Sequence, residues 1–308
     1  MVAGTEVVAM SLPDLVNWIF QFADYIAFLL LASLGLIIIL GIADIINLAH
    51  GELIMLGAYV TSATVAGGAP LILAVVLSTV AIGVFGLILE RLFIRRFYDN
   101  KIGALVATWG LSLILSQGVL ILFGPSLPPV PTPAMDVSYG GYSYSVYRLI
   151  LIAVAIAVLV LLWLVLYRTK FGIQVRATMQ NADMARSLGT DTRRIYMITF
   201  AAGSALAGLT GALYAPTTSI VPALGSTFIA PAFITVVVGG GANPIVGSLL
   251  SSTFLSIVST PVRVEWGNFL GLVALLLTAL ILIRFVPNGM SGWIRDVRRH
   301  RRARWRHT

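Results

Sequence analysis

Cysteine is absent from this 308-residue chain, and acidic residues number only 12 against 20 basic ones and three histidines. Without cysteine there are no disulfide frameworks, thiolate metal sites, iron–sulfur clusters or thiol nucleophiles. Charge is the second shortage. Charged residues make up 10% of the chain, against roughly a quarter in soluble globular domains, so the sequence cannot cover an ordinary aqueous surface. That excludes a soluble enzyme and a disordered chain alike. Lysine is confined to Lys101 and Lys170, and neither stands in a Gly-x-x-x-x-Gly-Lys-[Ser/Thr] context, so this chain has no phosphate-binding loop of that kind. No serine–histidine–aspartate order, metal-ligand helix motif or carboxylate pair in an aqueous setting replaces it, and an enzyme reading, an intramembrane one included, is poor.

Apolar residues are what the chain has in excess: 58% of positions, with a mean hydropathy of +0.97. A helix needs about 20 mostly apolar residues to cross the hydrocarbon core. Windows of that kind run approximately over 25–42, 46–66, 71–94, 104–124, 148–167, 195–215, 228–239, 245–260 and 268–285. The runs are continuous rather than alternating, which disfavours membrane strands. The expected fold is all-α: a polytopic helical bundle of about 8–10 transmembrane segments, some of them broken, filling 25–285 as one domain.

Basic loops stay in the cytoplasm. Arg91, Arg95, Arg96 and Lys101 close the third window, Arg168, Lys170, Arg176, Arg186, Arg193 and Arg194 follow the fifth, and an Arg-rich tail over 286–308 follows the ninth. Residues 1–24, 125–147 and 216–227 carry no Lys or Arg and are expected outside. Nine crossings with an external N-terminus satisfy these assignments, with the short seventh segment either spanning or re-entrant. The 1–24 segment lacks the basic n-region of a signal peptide. The net charge of +8 is then explained by position: the tail is expected to touch anionic headgroups rather than nucleic acid.

Polar groups inside a span either line a pathway or satisfy a broken backbone. The stretch 41–60 puts Asp44, Asn47, His50 and Glu52 into a window otherwise fit for hydrocarbon. Gly51 offers a permissive backbone, so a discontinuity is expected here, with Asn47 as N-cap of the second piece. Asn47, His50 and Glu52 are read as a pathway or gate, while Asp44 serves equally well as a cap. A second break is expected at 238–248, where Gly239, Gly240 and Gly241 precede Asn243 and Pro244, an N-cap followed by proline at the first helical position. Interrupted segments in both halves point to a transport site, although glycines such as Gly203, Gly208 and Gly211 also permit tight helix packing. The cytoplasmic loop 168–194 holds a short helix signal: Asn181 as cap, Asp183 in the first turn, Met184 and Leu188 on one face with Ala185 beside them, and Gly189 as stop. It rests on the bundle or fills a groove on another protein.

These residues resemble the membrane permeases of ATP-binding-cassette importers in the branched-chain amino acid transport family, which also includes urea and short-chain amide importers. The likeness runs from about Ile42 to Gly292 and is most specific at 46–52 with Gly57, Ala58 and Tyr59, at 172–189, and at 236–241 with Pro244 and Gly247. Residues 107–117 look more like the urea and amide branch. The resemblance implies a type II importer permease in the bacterial inner membrane. Its implied partners are a second permease subunit, two cytoplasmic ATPases that carry the ATP and magnesium, and an external solute-binding protein, with no cofactor on this chain itself. It makes Asn181, Asp183, Met184, Ala185, Arg186, Leu188 and Gly189 a coupling helix, and Asn47, His50, Glu52, Thr108, Trp109 and Gly239–Gly241 candidates for the pathway or its supports. The alternative is a proton-coupled secondary transporter or channel using Asp44, His50 or Glu52.

Overall fold

The computed structural model describes residues 11–293 apart from Asp99, Ala134, Ala242 and Asn288. The first ten residues and the Arg-rich run from Arg295, with Trp305, lie outside the described residues, and with them the expected headgroup contact of the tail.

Helix α1 spans Leu12–Ala43. Its start is fixed by a capping box in which the Asp14 amide donates to Ser11 Oγ and the Ser11 amide donates to the Asp14 carboxylate at 3.0 Å. The helix therefore begins well before Tyr25: Asp14, Asn17 and Gln21 close the apolar window without breaking the helix, and residues 12–24 are continuous with the first span. The chain continues through α2 (His50–Ala66), α3 (Leu71–Leu92), a short 3-10 turn (Ile94–Phe97), α4 (Lys101–Phe123), α5 (Val146–Arg168), α6 (Lys170–Gln180), α7 (Ala182–Ser187), α8 (Thr192–Tyr214), α9 (Leu224–Gly239), α10 (Pro244–Trp266) and α11 (Asn268–Phe285). Among the described residues, seven helices are long and apolar enough to cross a membrane. The two exceptions among the nine expected segments are α2 and α9, of 17 and 16 residues. At 1.5 Å per residue α9 reaches about 24 Å, short of a hydrocarbon core of about 30 Å.

Among the described residues, one departure from an all-helical chain lies between α4 and α5. Strands β1 (Asp136–Tyr139) and β2 (Tyr142–Ser145) form an antiparallel hairpin. Its turn is Gly140-Gly141, both at positive φ (60° and 87°), the backbone a two-residue hairpin demands. The hairpin sits on the start of α1, where Tyr142 donates to Asp14 Oδ1 at 2.8 Å. That contact adds a tertiary tie to the capped start of α1.

The core is assembled around α8, which packs against α1, α2 and α3. Small residues set the spacing. A methyl group at Gly211 would overlap the Ile54 carbonyl of α2, and one at Gly203 would lie 2.6 Å from Ile39 of α1. Gly203, Gly208 and Gly211 thus act as packing glycines, the plainer of their two readings. At the basic end, Tyr98 donates to Glu90 Oε1 at 2.9 Å and packs on Tyr196 with ring centroids 4.7 Å apart, tying the 3-10 turn to α8. Burial and the neighbouring Glu90 carboxylate push the Tyr98 phenol well above its ordinary pKa, so it remains a donor.

Candidate translocation and coupling sites

The first break falls between Ala43 and His50. Asp44 ends α1 in the left-handed region at φ 52°. Its carboxylate is exposed and paired with the Lys101 ammonium, so it is not an ionisable group sealed in hydrocarbon. From there the chain turns back. His50 Nε2 lies 3.3 Å from the Ala32 carbonyl oxygen of α1. Ala32 precedes the end of α1 by about 18 Å at helical rise, and the His50 ring also meets Gly35, so 44–49 brings the chain back alongside α1 and α2 starts deep within the bundle.

A non-helical strand at that depth must have its backbone satisfied by the protein. Thr108 of α4 does this: Leu48 N–H donates to its Oγ1 at 3.2 Å, and that hydroxyl lies 3.3 Å from the Ile46 carbonyl oxygen. Asn47 Oδ1 accepts from the Ala49 amide at 3.1 Å. Asn47 is therefore not the N-cap of α2, a position taken by Ala49 without a side-chain bond. It caps the turn leading into the helix, because the chain makes one further turn before helical geometry begins. Thr108 and Asn47 thereby act as supports of the break.

His50 and Glu52 are closed in more tightly. With its hydrogen on Nε2 facing Ala32, His50 keeps a buried Nδ1 without a partner, and its ring fills the space left by Gly35. Ser112 donates to Glu52 Oε1 at 2.6 Å, while Oε2 is buried without a partner against Gly225 of α9. Gly51 makes the approach possible, since a side chain there would strike the Gly225 carbonyl. Ser112 and Gly225 were not singled out in the sequence; they lie 60 and 173 positions from Glu52 and carry no local signal. Trp109 behaves differently from its neighbour Thr108: it is 57% exposed on the outer face of α4, turned away from the break.

The second break is built as expected. Gly240 ends α9 at φ 73°, and Asn243 Oδ1 accepts from Val246 N at 3.2 Å, with Pro244 opening α10. Gly239 packs on Gly247, whereas Gly241 faces open space.

The loop 168–194 folds as two helices, the first of which, α6, the sequence reading had not drawn. Asn181 is both the C-cap of α6 and the N-cap of α7, its Oδ1 accepting from the Met184 amide at 2.9 Å. Asp183 occupies the first turn and binds Arg186 at 3.4 Å, Arg186 also reaches Thr192, and Gly189 stops the helix at φ 88°. Met184 and Leu188 project outward, 59% and 79% exposed. Ala185 is only 2% exposed, so it docks α7 onto the bundle and is no part of an outward contact surface. Behind α7, Met179 of α6 would lie 3.0 Å from a methyl group at Gly41, which also borders Pro244. A cavity of about 570 Å³ joins these parts, with Asp44, Lys101, Asn181, Gly240 and Gly241 in its wall.

A family model described as "Branched-chain amino acid transport system / permease component" matches residues 18–285. The chain belongs to this family. It is 28% identical over 291 residues to the "probable branched-chain amino acid transport permease protein LivH" of Methanocaldococcus jannaschii, covering 87% of this chain and 90% of that one. The high-affinity branched-chain amino acid transport permease BraD of Pseudomonas aeruginosa is 26% identical over 280 residues, covering 85% and 91%. LivH of Escherichia coli K12 is 27% identical over 282 residues, covering 85% and 90%. No solved structure matches.

Proposed function

We propose that this chain is the translocating subunit of an ATP-driven importer for branched-chain aliphatic amino acids. A second, related permease would complete the conduit, two cytoplasmic ATPases would drive it, and an external binding protein would deliver the cargo. The names of the relatives favour this cargo over the urea and short-chain amides suggested by residues 107–117. The N-terminus would lie outside and the basic loops inside.

The observation that carries the reading is the α6–α7 pair. It presents Met184 and Leu188 outward at the basic end, and its shared Asn181 cap and Met179 join it to the end of α1 and the start of α10. A partner that grips Met184 and Leu188 can thereby shift α6 against Gly41 and Pro244, next to both breaks. Asn47, Thr108 and Gly240 hold the backbone of those breaks, while His50 and Glu52 fix the position of α2 against α1, α8 and α9. The proton-coupled alternative is less well served: among the described residues no hydrogen bond links Asp44, His50 and Glu52, and Asp44 is spent on an exposed ion pair.

The test is uptake of labelled L-leucine by cells stripped of their own branched-chain importers and supplied with this chain and its genomic neighbours. Uptake is expected to need intact ATPase nucleotide sites and to ignore an imposed proton gradient. Uptake that persists without the ATPases rejects the reading.

A further inference from the structure

A cavity of about 450 Å³ opens at the other end of the bundle, among α1, α5, α9, α10 and the loop after α8, and its wall combines charge with aromatic surface. Asp24 is 5% exposed and accepts from Arg148 Nη1 at 2.5 Å. Arg263 lies over the Tyr25 ring, 4.1 Å from its centroid, and has no ion pair among the described residues. The wall therefore holds two guanidinium groups and one carboxylate: Arg263 is partly buried and open to a carboxylate, while Asp24, beside it, is open to an ammonium and repels a bare anion. Tyr214 in the same wall is 9% exposed and keeps a buried hydroxyl without a partner. Beside it, Phe28, Tyr214 and Phe228 form a ring cluster with centroids 5.3–5.8 Å apart.

Resting on the importer reading above, we infer that this cavity is a binding site for the zwitterion of an aliphatic amino acid on its way through the permease. Arg263, backed by Arg148, receives the carboxylate; Asp24 receives the ammonium; the ring cluster takes the side chain. A zwitterion leaves the net charge of the wall unchanged and pairs both signs, whereas an inorganic anion would pair with Arg263 but face Asp24 and leave the aromatic wall uncovered. The site's charges come from residues 24, 148 and 263, so no single stretch of sequence displays it.

The natural lack of cysteine gives a direct assay. Thr227 lines the cavity, so Thr227→Cys places one thiol in this chain. Its alkylation is followed by mass in the assembled importer without the external receptor. L-Leucine at about ten times its Kd is expected to slow alkylation about tenfold, the factor set by occupancy. Leucinamide, without a carboxylate, and isocaproate, without an ammonium, are expected to protect little, and adding Arg263→Gln should abolish protection while the thiol still reacts. Thr218→Cys, on the same cavity, serves if the first variant does not assemble. Unchanged alkylation in leucine, in a preparation that imports leucine once the receptor is restored, overturns the inference, as does equal protection by leucinamide. A preparation that imports no leucine at all, while importing another cargo, brings down the assignment of cargo and this inference with it.

Discussion

The two interruptions of the helical bundle are held by different partners. At 44–49 the backbone leans on Thr108 of α4 and on its own Asn47, and α2 starts wedged against Gly35 and Gly225. At the second break the Asn243 cap and the positive φ of Gly240 are joined by two longer ties, Ser291 donating to the Gly240 carbonyl at 3.1 Å and Asn243 Nδ2 donating to the Tyr167 hydroxyl at 2.9 Å. The first break lies where α1, α2, α4 and α9 pack together, so its backbone moves only if several helices move with it. The second borders Pro244 and α6 and is tied by single side-chain bonds. That contrast makes the first break the candidate scaffold and the second the candidate hinge.

The sharpest way to break that assignment is at Gly51. A side chain there strikes the Gly225 carbonyl, and overpacking of a tight core typically costs about 1–3 kcal/mol or more when backbone is the obstacle. Gly51→Val is expected to leave almost no folded protein in the membrane, as read by fluorescence size-exclusion chromatography. Wild-type yield from this variant would show the first break to be loose.

Next in size is the outward face of α7. Met184→Asp or Leu188→Asp alters an exposed side chain, so membrane levels should hold while uptake falls by about a hundredfold, since burying an unpaired carboxylate in a partner groove costs several kcal/mol. Ala185→Leu should do the reverse, lowering stability first, because Ala185 packs inward. Unchanged uptake and ATPase co-purification in the aspartate variants would remove the coupling role.

These expectations also show what the sequence could disclose. Asn181, Gly189, Asn243 and Pro244 are local signals, each acting within four residues, and all four stand where the pattern put them. The start of α1 was hidden because a hydropathy window ends with its apolar residues, while the Ser11–Asp14 capping box extends the helix into polar territory. Asn47 was placed one turn wrong, since an asparagine signals a cap without saying which turn it caps. Glu52 with Ser112, Asp24 with Arg148, and Leu48 with Thr108 are pairings across 60 to 124 residues. Nothing in the intervening sequence fixes them; they follow from helix packing alone.

A milder probe of the first break is Thr108→Val. It keeps the shape and removes the hydroxyl that accepts from Leu48 and meets Ile46. A buried backbone group left without a partner costs about 1–3 kcal/mol. The variant is expected to unfold several degrees lower in detergent while transporting at a near-normal rate at moderate temperature. A transport defect without loss of stability would make Thr108 part of the moving pathway.

The smallest effect distinguishes the second break from the first. Gly240 sits at φ 73° and ψ 158°, a region almost reserved for glycine, where other residues cost about 1–3 kcal/mol. Gly241 has open space around its Cα and no positive φ. Gly240→Ala should therefore slow leucine uptake and lower the melting temperature by a few degrees, because backbone strain and the close approach of Gly289 fall on the same segment. Gly241→Ala should match the wild type in both respects. Equal behaviour of the two variants would mean that the glycine run only fills space, and the hinge would then have to be sought at Asp44, where α1 ends in a left-handed residue without glycine's freedom.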